Sequence, residues 1–442
     1  MFTVNDVVEF ILNQESELHL FNLKADDTYV WPIMRVRLMT QIEKQLGLIT
    51  TPHDASRKWT RKERYMKALK YDSKAFMYNK KHDTVIIRHP RKVNVDGNVI
   101  DIYTAEIQKK YPEALVIDRI ETNNLNLVND SLIVLQESVS DKYSKVIKER
   151  IMNTPHFYEF EILGSAIQQV FSIDIDVNAM FKDAYKHFVA GEERFMRFLK
   201  KVEPKEVICV VAYDKYDVVS ACKKCNVKII EVQHGIIDSH HLGYHYPSSI
   251  PAACFVDELW LFAPYWRLNA SLPLDDEHLK YIGFSYFRNE CAKYEVDRMP
   301  NVLTVLSQGT SGKAMLKQIL SLAEAYSTLQ INYKLHPGEF QNYKERYPEL
   351  VNPPHNVKVY KNEVPLYELL KSSTYVVGAY STAIYEALAL GCIGILIDVP
   401  GTREYMNTLI QNGLVYITNN LFKDFRFIEN DSKKNEIQNI YF

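Results

Sequence analysis

From residue 83 onward the chain is written in short, almost wholly apolar runs separated by longer stretches of helical spacing. Residues 84–87, 114–117, 207–211, 228–232 and 259–262 form a first series, and residues 302–306, 331–335, 357–360, 375–377 and 393–397 a second. A run that is apolar at every position needs cover on both faces, which is the demand of a parallel sheet between two layers of helices. Two such series, joined near residues 288–301, predict an α/β chain of two doubly wound Rossmann-like domains facing a cleft. The expected division is a helical N-terminal extension at 1–80, a Rossmann-like domain at 81–290 with a helical insertion at about 140–200, and a second Rossmann-like domain at 291–442. At 442 residues the chain is indeed too long for one ordinary core.

Composition narrows the function classes. Hydrophobic residues at 47% and charged residues at 24% exclude wholesale disorder. The 53 basic residues nearly balance the 55 acidic ones, so the surface as a whole is not built for nucleic acid. No apolar stretch approaches the ~18 residues of a membrane span. The opening Met1-Phe2-Thr3-Val4-Asn5-Asp6 has no basic region of a signal peptide, and six cysteines in so long a chain do not make a disulfide framework. Both point to a cytoplasmic protein. One segment departs from neutrality: Arg57, Lys58, Arg61, Lys62, Arg64, Lys67 and Lys70 stand against Glu63, with Trp59, Tyr65, Met66 and Leu69 interleaved. It reads either as a solvated helix face or as a contact with an anionic membrane at the inner face, each well-placed cation adding roughly 1 kcal/mol.

Ligands of open parallel sheets bind beyond the carboxyl ends of the strands, so the residues that follow each run are the informative ones. Only 15 glycines occur, about half the usual ~7%, which gives weight to those that fall there. Glu231-Val232-Gln233-His234-Gly235 closes one run and leads into a loop containing His240 and His241. A histidine there suits a general base, because its ordinary pKa lies near neutrality; a hydrogen-bonded structural histidine is the alternative. Lys334-Leu335-His336-Pro337-Gly338 closes another run, offering cationic and N–H donors to a phosphate beside a Pro-Gly turn. The third is Gly378-Ala379-Tyr380-Ser381-Thr382, where a strand passes into a helix carrying Glu386. Hydroxyls and backbone N–H groups at such a turn hold anions, or Ser381 and Thr382 serve as plain N-caps. Weaker signals are Asp174-Ile175-Asp176, a metal-type pair or an N-cap; Cys222-Lys223-Lys224-Cys225, without the second pair that zinc needs; and the cations of Arg88-His89-Pro90-Arg91-Lys92.

The Gln233-His234-Gly235 strand end, His336-Pro337, and the Ser381-Thr382 turn with Glu386 and Gly391 lie within about residues 205–400. There the chain resembles the GT-B glycosyltransferases of bacterial surface-polysaccharide synthesis, especially capsule Kdo transferases, sialyl- and polysialyltransferases and CDP-glycerol glycerophosphotransferases. The resemblance implies that His336, Ser381 and Thr382 hold the phosphates of a cytidine-nucleotide donor, with Lys334, Pro337, Gly338, Tyr380 and Glu386 completing that site. It implies His234 as base, with Glu231 and Asp214 as possible substitutes. Gln233, Gly235, His240 and His241 would lie on the acceptor side. No metal or other cofactor is expected, and the partners would be a nucleotide-sugar donor and a glycan or lipid-linked glycan acceptor. Gly378 stands eight positions before Glu386, where many retaining enzymes of this fold have a second glutamate, so that subgroup is disfavoured. Tyr213-Asp214-Lys215-Tyr216-Asp217 also lacks the glycine of the sialyltransferase acidic motif. A non-hydrolysing nucleotide-sugar 2-epimerase, or a nucleotide- or glycan-binding protein without chemistry, remain alternatives on the same fold.

Overall fold

The computed structural model describes residues 2–48, 60–90, 92–95, 98–120, 132–135, 141, 143–247, 250–309 and 311–430. Arg57, Lys58, Trp59 and Arg91 lie outside the described residues. The chain divides into two units, Met1–Leu261 with Ala270–Ile282 and Phe262–Asn269 with Gly283–Phe442.

Unit 1 opens with helix α1 (Val4–Glu17), the short hairpin β1 (Lys24–Ala25) and β2 (Thr28–Tyr29), and helices α2 (Trp31–Gln45) and α3 (Arg61–Met77). Helix α1 starts at a reciprocal cap: the Asp6 N–H donates to Thr3 Oγ1 at 3.2 Å and the Thr3 N–H to Asp6 Oδ2 at 2.7 Å. The first helices are not a separate body. Arg35 of α2 donates to Glu15 of α1 at 2.5 Å with both side chains about 1% exposed, and its other N–H reaches the carbonyl of Leu242.

The sheet of unit 1 follows with β3 (Thr84–Arg88), the hairpin β4 (Lys92–Val95) and β5 (Asn98–Asp101), α4 (Ala105–Lys110), β6 (Leu115–Ile120) and β7 (Leu132–Leu135). Three helices, α5 (Lys145–Met152), α6 (Tyr158–Phe171) and α7 (Val177–Val202), then carry the chain back to β8 (Glu206–Val210), α8 (Tyr216–Lys224), β9 (Lys228–Val232), β10 (Glu258–Leu261) and β11 (Leu279–Tyr281). Helix α7 buries one stripe, including Phe181, Phe188, Phe195, Leu199 and Val202, and Asp176 caps it by accepting from the Ala179 N–H at 2.8 Å. The seven strands lie in the order β11-β10-β9-β8-β3-β6-β7, and every pair is parallel. The winding therefore reverses between β3 and β8, the kind of switch point where a crevice opens above the sheet.

Unit 2 contains α9 (Ser285–Ala292), β12 (Met299–Leu306), α10 (Gly312–Ala325), β13 (Gln330–Lys334), α11 (Tyr343–Arg346), β14 (Val357–Tyr360), α12 (Leu366–Ser372), β15 (Ser373–Gly378), α13 (Ala383–Ala389), β16 (Ile393–Ile397) and β17 (Val415–Thr418). Its order is β14-β13-β12-β15-β16-β17, again all parallel, with the reversal between β12 and β15. Leu303, Val305, Met315, Ile319, Leu322, Tyr333, Val377 and Ile395 form its dry centre. These are the two doubly wound parallel units that the sequence pattern predicts.

Three details correct the expectation. The second unit starts at Gly283 rather than 291 and also claims residues 262–269, because Phe262 stacks on Phe284 at 4.5 Å and Trp266 lies 5.3 Å from Tyr385. Each sheet gains short strands the apolar runs did not announce; β11 is an edge strand with two exposed residues out of three. Gly391 is not at the ligand end of its helix. It stops α13 with φ +82°, a left-handed conformation suited to glycine, and its N–H donates to the Leu388 carbonyl at 2.8 Å. Among the described residues, no helix is long and apolar enough to cross a membrane.

Candidate active site

In unit 1 the β3/β8 reversal brings three strand ends together. Strand β3 is followed by His89, whose N–H donates to Asp101 Oδ2 at 2.8 Å; the same buried carboxylate accepts from the Tyr103 N–H at 3.0 Å and from Thr104 Oγ1 at 2.6 Å. Beyond β8, Val211 takes φ 59° and starts the turn Ala212–Asp214. Beyond β9 come Gln233 and His234. Around the His234 ring stand His89 (centroids 6.2 Å, nearly parallel), Tyr103 (6.3 Å), Tyr213 (6.0 Å), His241 (6.3 Å) and Tyr244 (6.0 Å).

Polar contacts order this cluster. His234 Nδ1 lies 2.9 Å from the Tyr244 hydroxyl, which donates to Glu231 Oε1 at 2.9 Å; the Ala212 N–H reaches the same oxygen at 2.9 Å. The Tyr213 hydroxyl lies 3.4 Å from His234 Nε2 and 3.5 Å from His241 Nε2. His241 Nδ1 accepts from the Gly243 N–H at 3.1 Å, and burial holds this imidazole below its ordinary pKa. Gly243 admits no side chain: a Cβ would collide with the Tyr213 ring and stand 2.8 Å from His241 Cε1.

The expected residues divide accordingly. His234, Glu231 and His241 are brought together. Gln233 is fully buried and tied to the turn, its Nε2 donating to the Gly235 carbonyl at 2.7 Å. His240 points to α1, with Nε2 2.8 Å from Asn5 Oδ1. Asp214 is exposed and lines a different cavity with Arg37 and His187. Gly235 has open space where a Cβ would be, so nothing in the fold requires glycine there. Tyr213, Tyr244 and Asp101 escaped the sequence reading. Tyr244 sits in the histidine-rich loop, but no local pattern says that it turns back to Glu231.

Glu231 is 0% exposed, and burial pushes its carboxyl up to about 7. Glu43 on α2 is likewise raised to about 7 by burial. With folded pKa values above the unfolded ones, the native state holds more protons than the unfolded state between pH 4.5 and about 7. These two carboxyls therefore contribute stability that is lost as pH rises through that window, while His241 and His245, held low by burial, contribute in the opposite sense. Urea unfolding across this range checks the carboxyl part: the wild type should lose stability relative to Glu231→Gln as pH rises.

In unit 2 the β12/β15 reversal carries the second set. His336 is exposed and its ring is oriented: Nδ1 accepts from the Gly338 N–H at 3.1 Å, so the neutral ring carries its proton on Nε2. The turn is locked by Glu339, which accepts from the His336 N–H at 2.9 Å and from the Tyr347 hydroxyl at 2.5 Å. Ser381 Oγ accepts from the Ala383 N–H at 3.3 Å, whereas Thr382 is exposed and makes no side-chain cap bond. Tyr380 meets the opposite loop through Gln308, its N–H donating to Oε1 at 3.3 Å. Pro337 and Gly338 are exposed in the turn. Lys334 and Glu386 are occupied inside the unit: Lys334 Nζ donates to the carbonyls of Lys361 and Val364, and Glu386 hydrogen-bonds Tyr367 of α12. Burial also lowers the Lys334 pKa.

The loop after β12, Ser307-Gln308-Gly309-Thr310-Ser311-Gly312, was not singled out from the sequence, although so many small residues after an apolar run in a glycine-poor chain is a usable signal. Thr310 lies outside the described residues. Gly312 opens the 14-residue helix α10, where a Cβ would collide with the Tyr347 hydroxyl.

No known protein family matches the sequence, and no curated protein matches it. Among solved structures the chain is similar to the calicheamicin glycosyltransferase CalG4, at 12% identity over 80% of this chain and 91% of that one, TM-score 0.46. It is also similar to UDP-GlcNAc 2-epimerase from Neisseria meningitidis bound to UDP-GlcNAc, at 12% identity over 81% and 94% of the two chains, TM-score 0.48. A third is the spinosyn rhamnosyltransferase SpnG complexed with thymidine diphosphate, at 11% identity over 79% and 92%, TM-score 0.45. None of the three reaches a TM-score of 0.5, so a functional reading rests on the strand-end residues themselves.

Proposed function

We propose that the protein is a glycosyltransferase that moves a sugar, or a polyol-phosphate unit, from a cytidine-nucleotide donor to a hydroxyl of a surface glycan such as capsule, O-antigen or lipopolysaccharide. One observation carries the reading: the two switch points hold complementary chemistry. The first presents an imidazole, His234, suited to take a proton. The second presents N–H and O–H donors, His336 Nε2 and the Ser381-Thr382 turn, suited to an anion.

In the proposed step His234 Nε2 takes the acceptor's hydroxyl proton while that oxygen bonds to the anomeric carbon or, for a polyol-phosphate unit, to its phosphorus. The bond from that atom to the bridging oxygen of the departing nucleotide breaks, and its electron pair leaves on that oxygen. Fixed donors around His336 meet the charge that develops, each often worth about 3 kcal/mol, and the step calls on no metal ion. The epimerase alternative needs several available carboxylates, and of those near the strand ends of unit 1 three are committed while Asp214 is exposed. Asp101 caps His89 and Tyr103, Asp118 pairs with Arg88 at 2.5 Å and Lys92 at 2.8 Å, and Glu231 is buried. A cytoplasmic enzyme touching the membrane through the basic segment 57–70 would meet a lipid-linked acceptor there; Lys70, on α3, is exposed.

Thermal shifts with CMP, CDP, UDP and GDP test the donor. A nucleotide at 100 times its Kd should add about 2.7 kcal/mol of stability. CMP or CDP is expected to stabilise the wild type and to lose that effect in His336→Ala. Stabilisation by UDP alone would remove the cytidine assignment, and conversion of a UDP-sugar to its epimer without acceptor would favour the epimerase.

A further inference from the structure

We infer that Glu231 and Tyr244 are positioning residues for His234, forming a one-way hydrogen-bond relay that holds its proton on Nδ1 and leaves Nε2 as the basic nitrogen. The inference deepens the proposed function and rests on His234 being its base.

The direction follows from what each group is able to donate. Glu231 is fully buried, and its Oε1 is the acceptor for two donors, the Ala212 N–H and the Tyr244 hydroxyl, both at 2.9 Å. Having given its only proton to Glu231, the Tyr244 oxygen receives from His234 Nδ1, 2.9 Å away. A neutral imidazole with Nδ1 protonated has its lone pair on Nε2. The far side agrees. His241 Nδ1 accepts from the Gly243 N–H, so its proton is on Nε2 and directed to the Tyr213 oxygen at 3.5 Å; the Tyr213 proton is then aligned with His234 Nε2 at 3.4 Å. Four side chains, His241, Tyr213, His234 and Tyr244, thus donate in one sense, and the chain ends on Glu231 as acceptor. The long 3.4 Å contact marks Tyr213 as the member that an acceptor hydroxyl would displace.

The relay also offers a place for charge. When Nε2 takes a proton the imidazolium forms, and the ionised form of Glu231, two hydrogen bonds along the chain, stabilises it. The groups that face Glu231 are Cys209 of β8, Tyr213, Asp214 and Lys215 of the following turn, and Tyr244 and Tyr246 of the loop. Lys215 does not neutralise it directly, since its Nζ donates to the Val210 and Val211 carbonyls at 2.9 and 3.3 Å.

Nitrogen-15 NMR of the histidines in the full-length protein tests the relay without any substrate. At neutral pH His234 should show a protonated Nδ1 and an unprotonated Nε2. In Tyr244→Phe the Nε2-protonated form should appear, and kcat should fall about 10- to 100-fold at unchanged donor KM, as for other partners that orient an imidazole. A wild-type His234 with its proton on Nε2, or a Tyr244→Phe variant that keeps Nδ1 protonated, would overturn the relay. With the tautomer as stated but no sugar transferred, the relay would stand and the proposed function would fall.

Discussion

Under the proposed function, His234→Ala is expected to lower kcat by about 10²- to 10⁴-fold while leaving the nucleotide-induced thermal shift intact, because a general base acts in the proton-transfer step and the residues proposed for the donor lie elsewhere. The fold should survive the change. His234 is partly exposed at a strand end, outside the dry core, and the Glu231 carboxylate retains the Ala212 and Tyr244 donors without it. Steady-state transfer to a glycan acceptor, measured beside a nucleotide titration, separates the two effects. Full turnover in the variant would remove His234 as the base. Loss of nucleotide binding along with turnover would place His234 in the donor site instead.

A larger effect on stability is expected far from any strand end. Glu15→Ala removes the partner of Arg35 but leaves its guanidinium about 1% exposed, with the Leu242 carbonyl and the face of Tyr246, 4.4 Å away, as remaining neighbours. Trp31 Nε1 loses its acceptor as well, 2.7 Å from Glu15 Oε1. Breaking a buried pair by deleting one side commonly costs about 3–5 kcal/mol, since a charge is left in the interior without compensation. Urea unfolding should show a loss of that size, and the apolar double variant Glu15→Leu/Arg35→Met should recover much of it. Because Arg35 holds the Leu242 carbonyl in the loop that carries His241 and Tyr244, turnover in Glu15→Ala should drop further than its folded fraction. A variant as stable as the wild type would show that the first two helices merely lie on unit 1.

How far the sequence could be read depended on the range of the interaction. The runs that became β3, β8, β9, β12, β13 and β15 were visible because central parallel strands are covered on both faces, and that leaves an uninterrupted apolar stretch. His234 and His336 were singled out by the same reasoning, as residues just beyond such stretches. Edge strand β11, open on one side, left no comparable trace. Lys334 shows where position stops being informative: its place in the chain was read correctly, yet its ammonium turns to the carbonyls of Lys361 and Val364, about 30 residues on, which no local pattern announces.

What the sequence determined by itself is the alternation of strand and helix, and with it two parallel sheets, each with strand ends where histidines, hydroxyls and glycines collect. Strand order and polar partnership were decided only by the tertiary structure. The reversal between β3 and β8 and that between β12 and β15 choose which strand ends share a crevice. The loop after β9 brings Tyr244 back across 13 residues to Glu231, and α2 reaches across 207 residues from Arg35 to Leu242. The physical reason is the same in each case. Apolar periodicity is a property of neighbouring residues, whereas a buried donor must find its acceptor wherever the packed chain happens to bring one.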